Sequence, residues 1–164
     1  PPFMIALVSE VSDSTTINLG LLIVASALAS FMSSYIWGTL ADKSSRLVLL
    51  CSGLVASVAL FFMFFFKDWF VTYDLLLPAV LFIIMVAYQG VRLGRSTHLV
   101  DMANEETRAS YTALSNTIIG LFLLVSSAFS VLGSLIGTEY VLFVFACMAL
   151  LAVGFSFFLK EVQK

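Results

Sequence analysis

The stretch Gly38-Thr39-Leu40-Ala41-Asp42-Lys43-Ser44-Ser45-Arg46 is the most charged punctuation between two long apolar runs, and the fold follows from its position. Upstream, residues 14–41 carry no formal charge. Downstream, the same holds from Leu47 to Phe66. Each run reaches the roughly 20 residues needed to cross a bilayer as a helix, and a connection this short predicts two antiparallel neighbours.

Outward from that loop, the rest of the chain repeats the pattern. Hydrophobic residues make up 61% and charged residues 11% of 164, against about 45–50% and 25% in soluble domains. The composition excludes a large soluble domain and leaves room for a single transmembrane domain, residues 1–164. Its predicted spans are 14–41, 47–66, 75–94, 109–136 and 140–159, preceded by a run at 1–11 too short to cross. The expectation is an all-α, polytopic transmembrane helix bundle of five full spans plus the end of a sixth. The chain opens on Pro1-Pro2 without an initiating Met, so it reads as a piece of a longer protein. Cys51 and Cys147 fall inside apolar runs, where a thiol acts as a small hydrophobe.

Charge sets the orientation. Lys43, Arg46, Arg92, Arg95, Arg108, Lys160 and Lys164 fall on one side of the predicted bundle, and only Lys67 on the other. That bias places the Gly38–Arg46 loop, the polar connection Ser96 to Arg108 and the C-terminus in the cytoplasm. The acids divide evenly, consistent with their small topological weight.

The spans differ in texture. Ser26, Ser30, Ser34 and Gly38 recur every four residues, with Ala25, Ala29 and Ser33 alongside, and Ser126, Ser130 and Ser134 repeat the device in the fourth span, supported by Gly120 and Gly133. Such faces let helices approach closely. Leu47–Phe66 and Tyr140–Leu159 are bulky and aromatic, as expected of lipid-facing spans.

The loop Gly38-x-x-x-Asp42-Lys43-x-x-Arg46 resembles the signature G-x-x-x-D-R-x-G-R-[RK] of the major facilitator superfamily, found between the second and third helices of each half. It keeps the Gly, the Asp, a base after it and the later Arg. It departs at Ser45, where Gly is common, and at Leu47, where a further base is common. The run Gly94-Arg95, Asp101, Glu105, Glu106 and Arg108 is similar to the family's loop between the fourth and fifth helices of a half. With the polar tail after the last span, the resemblance implies the C-terminal half, helices seven to twelve, the first truncated.

By that resemblance, the chain is half of a secondary active transporter moving a small solute by alternating access. Its partners are membrane lipid, the small-molecule substrate and the missing N-terminal half, with no nucleic acid and no cofactor. The setting is a plasma membrane or a bacterial inner membrane. Gly38, Asp42, Lys43 and Arg46 form the gating motif, with Arg92, Arg95 and Arg108 as gating partners of Asp42. In the family the first and fourth helices of a half line the cavity, which points to Tyr88 and Gln89, and Asn116 lies at similar depth in the next span. The alternative is a non-transporting receptor or scaffold that binds another helix bundle through its small-residue faces.

An enzyme is not expected. Ser96, His98 and Asp101 hold the ingredients of a nucleophilic triad, but within one loop and without an oxyanion-hole motif. Asp101, Glu105 and Glu106 match no calcium-loop spacing, so no metal site is expected.

Overall fold

A computed structural model of the chain describes residues 15–66, 69, 70, 73, 75–126 and 128–162. The short apolar run at 1–11, Lys67 and Lys164 lie outside them. The described residues form six helices: α1 (Thr15–Ala41), α2 (Ser45–Phe65), α3 (Leu76–Met102), α4 (Arg108–Ser126), α5 (Ala128–Ile136) and α6 (Thr138–Ser156). Five stretches are long and apolar enough to cross a membrane: Ile23–Ala41, α2, α3, Arg108–Leu135 and α6. The chain is an all-α transmembrane bundle.

Two ends illustrate why the helices stop where they do. Ser44, extended at φ −165° and ψ 112°, accepts a hydrogen bond from the Leu47 backbone N–H through its side chain. That bond satisfies one of the free donors of the first turn of α2. Gly137 adopts φ +97° between α5 and α6, a conformation that a side chain disfavours, and its N–H closes α5 on the Gly133 carbonyl at 3.0 Å. Pro78 sits third in α3, where its missing N–H breaks no helical bond.

α3 is the organising helix. It packs along both α1 and α2, while α2 packs along α6. The short loop does connect α1 to α2, but the two touch far less than either touches α3. Their meeting point is a cluster of Trp37, Ala41 and Val48 beside the loop. A second cluster, Ala59, Met63, Phe70, Val80, Leu81 and Leu142, lies toward the opposite end. There Phe64 meets Phe143 with ring centroids 4.9 Å apart, and Phe62 meets Phe70 at 6.1 Å.

In lipid the apolar effect does not drive helices together, so close packing and interhelical hydrogen bonds must. The contacts fit that requirement. A Cβ added to Gly90 of α3 would lie 2.6 Å from Ser52 Cβ and from Trp37 Cε2, and one added to Gly53 of α2 would lie 2.7 Å from Val153 Cγ2 of α6. Trp37 Nε1 donates to the Val86 carbonyl at 2.8 Å, and Gln89 Nε2 to Ser30 Oγ at 3.0 Å, both tying α1 to α3.

These contacts correct several expectations. Of the small-residue face of α1, Ala29 and Ser33 are buried, together with Trp37 and Ala41, whereas the neighbouring Ser26, Ser30 and Ser34 are not, and a Cβ at Gly38 would meet nothing within 4 Å. Gly38 therefore serves no close packing among the described residues. α2 does not simply face lipid. Val48, Ser52, Gly53, Ser57 and Ala59 are buried while Leu47, Leu54, Val58 and Phe65 are exposed, so its small residues make one inward face. α6 fits the lipid-facing expectation better, with Leu151 and Phe155 strongly exposed. The small residues of the fourth stretch bury nothing in α4, and Gly120 has no neighbour within 4 Å of a built Cβ.

α3 also runs further than the polarity of its end implies. Its 27 residues span about 40 Å at 1.5 Å per residue, more than the ~30 Å hydrocarbon core. Ser96, His98 and Asp101, read from sequence as part of a polar connection, are thus helical, and the connection itself is 103–107.

Candidate functional site

The Gly38–Arg46 loop and the start of α2 are held by three side-chain contacts from two sides. Ser44 Oγ donates to Glu161 Oε1 at 2.6 Å, and Arg46 Nη2 donates to the Phe157 carbonyl at 2.7 Å, so the segment after α6 is fastened to the start of α2. Ser45 Oγ lies 3.1 Å from His98 Nδ1 of α3. Ser45 is fully buried and His98 nearly so. The position that departs from the family signature therefore supplies a buried polar partner. Sequence reading gave no role to Ser44 or Glu161, and their only signal was a Ser preceding an apolar run.

Among the motif residues, Asp42 and Lys43 are exposed. The Asp42 N–H bonds the Gly38 carbonyl at 3.1 Å, which continues the last turn of α1. Arg46 is half-buried; its Nε is buried without a partner, as is Nε of Arg95. Arg108 is exposed at the start of α4. The ingredients of a triad do not assemble: the Ser96 hydroxyl donates to its own helix at the Leu93 carbonyl, and His98 is bonded to Ser45.

A second polar region lies between α1 and α3. Ser33, Ser34, Trp37, Gln89, Arg92 and Ser96 line a cavity of about 240 Å³. Gln89 and Arg92, assigned from sequence to separate duties of cavity lining and gating, thus share one wall. Tyr88 and Asn116 are exposed, and neither belongs to this cavity. The spacing Gln89, Arg92, Ser96 places the three on one face of α3. The opposing wall comes from Ser33, Ser34 and Trp37 at successive turns of α1. Periodicity within α3 was available from sequence; the pairing with α1 was not.

A family model described as Major Facilitator Superfamily matches residues 2–164. Comparison with curated proteins and with solved structures gave no match.

Proposed function

The chain belongs to the major facilitator superfamily, a family of membrane transporters, and from that premise we propose that it is the C-terminal half of a secondary transporter moving a small solute by alternating access. The observation that carries this reading is the clasp around the Gly38–Arg46 loop. Ser44, Ser45 and Arg46 tie α2 to the post-α6 segment and to α3, so the three helices and the loop would move as one body. Rocking of such a body against a second one is how alternating access works in repeat-built transporters.

On this reading, exposed Asp42 and Lys43 form the face of the latch, on the cytoplasmic side together with the C-terminus. The partners of Asp42 are bases of the same end, Arg92 and Arg95, or the start of a helix in the facing half. The unburied α4 supports the reading as well, because a helix with no buried residue has its whole surface free for lipid or for the second half. The test is uptake into proteoliposomes, combined with cysteine accessibility from each side, for the wild-type protein and Asp42→Asn. The expected result is an altered transport rate and a shifted inward/outward population. Unchanged values for both would remove the latch, and no flux for any solute class would favour the scaffold alternative.

A further inference from the structure

We propose that the cavity between α1 and α3 binds an organic anion that also carries hydroxyl hydrogens, a hydroxy-carboxylate of sugar-acid size. Its walls can be sorted by what each group has left to offer. The hydroxyls of Ser33 and Ser34 donate to the Ser30 carbonyl at 3.1 and 2.9 Å, and that of Ser96 to the Leu93 carbonyl at 3.1 Å. Gln89 Nε2 uses one of its two N–H groups on Ser30 Oγ, and Trp37 Nε1 uses its single N–H on the Val86 carbonyl. The neutral groups therefore present mainly acceptor oxygens: the hydroxyl lone pairs and Gln89 Oε1.

Arg92 is the exception. Its guanidinium is permanently charged, offers five donors in a planar fork and suits carboxylates bidentately. It is exposed at the edge of the cavity it lines. A guanidinium there offers its donors to water or to an anion, and an anion gains the charge-assisted bond. The complementary ligand thus places a carboxylate on Arg92 and hydroxyl donors on Ser34, Ser96 and Gln89 Oε1. A neutral polyol leaves Arg92 unpaired, and a cation is repelled. The volume of about 240 Å³ equals roughly eight waters at liquid density, enough for such a solute.

That this anion is a transported substrate rests on the function proposed above; that it binds does not. The experiment uses Trp37 as reporter. Trp69→Phe leaves Trp37 as this chain's sole tryptophan; the full-length protein carrying it is placed in phosphatidylcholine nanodiscs, and the Trp37 signal is taken as the difference from the same protein with Trp37→Phe. Gluconate should change Trp37 emission saturably, propionate more weakly, and sorbitol and choline not at all. Arg92→Gln should weaken gluconate about tenfold or more, as loss of a charge-assisted bond does. Ser96→Asp, one turn from Arg92, should abolish binding by supplying an internal carboxylate, while thermal unfolding followed by circular dichroism stays cooperative.

No saturable response to gluconate, an equal response to sorbitol, or unchanged affinity in Arg92→Gln would overturn the site. So would a response to phosphatidylglycerol in the disc with none to gluconate, which would assign the anion to a lipid headgroup. Gluconate binding with no flux of any solute would overturn the transport reading and leave the site standing; flux of a neutral solute without gluconate binding would do the reverse.

Discussion

Gly90→Ala adds one methyl group at the point where three helices meet. The new Cβ would lie 2.6 Å from Ser52 Cβ, 2.6 Å from Trp37 Cε2 and 2.9 Å from Trp37 Nε1, well inside contact distance on two sides. Neither neighbour yields easily. Ser52 Cβ is fixed to its backbone, and the indole of Trp37 is buried and anchored at 2.8 Å to the Val86 carbonyl. Overpacking of this kind costs typically about 1–3 kcal/mol, and displacing the indole adds about 0.5–1.5 kcal/mol for its hydrogen bond. The expected destabilisation is about 2–4 kcal/mol, and 2 kcal/mol alone changes the folded-to-unfolded ratio about 30-fold. The assay is reversible unfolding in mixed detergent micelles, with the variant also made in Trp37→Phe and Ser52→Gly backgrounds. Trp37→Phe removes the crowding pyrrole edge and Ser52→Gly removes the opposing Cβ, so each should lower the cost of the added methyl by a measurable coupling energy. A neutral Gly90→Ala, or one equally costly in all three backgrounds, would refute the account of α3 as the closely packed centre.

Other outcomes follow from single contacts. Ser44→Ala removes the cap on the Leu47 N–H and the bond to Glu161, and should cost about 1–2 kcal/mol. Ser44→Asp should restore the cap while repelling Glu161, so faster hydrogen exchange over residues 157–162 would report the tail contact separately. Gln89→Leu should lose only about 0.6 kcal/mol in the same unfolding assay, because Ser30 Oγ keeps its bond to the Ser26 carbonyl. Ser45→Ala should cost about 1–3 kcal/mol by leaving His98 Nδ1 buried and unpaired. The double variant Ser45→Ala/His98→Leu should recover most of that loss, and failure to recover would show that the pair does not act through its hydrogen bond.

Residues 14–41 and 47–66 required no structure to be read as membrane helices, because absence of charge over a bilayer's length is a property of composition and spacing alone. The motif Gly38–Arg46 was legible for the same reason, since it stands where charge interrupts an apolar run. Partner choice was not legible. Every apolar helix in lipid has many acceptable neighbours, and the difference among them lies in a few small residues and polar contacts. Gly90-x-x-x-Gly94 is a small-x-x-x-small pattern that does mark its face of α3, but the serine repeats outweighed it; Ser52 and Gly53 stand among bulky neighbours, so sequence texture led with the serine stripe on α1 and assigned α2 to lipid.

The candidate site divides along the same line. From sequence, Gln89 stands out as a polar group inside an apolar span, and Arg92 as a base near its end. That both face Ser34 and share a cavity, and that Ser45 meets His98 across 53 positions of chain, depends on how α3 is rotated and slid against α1 and α2. Sequence by itself determined that the chain crosses a membrane and where its charge collects, because an unpaired charge in hydrocarbon is costly. Tertiary structure decided which side chains meet, because helix rotation is fixed by short-range fit among small residues and a few interhelical hydrogen bonds.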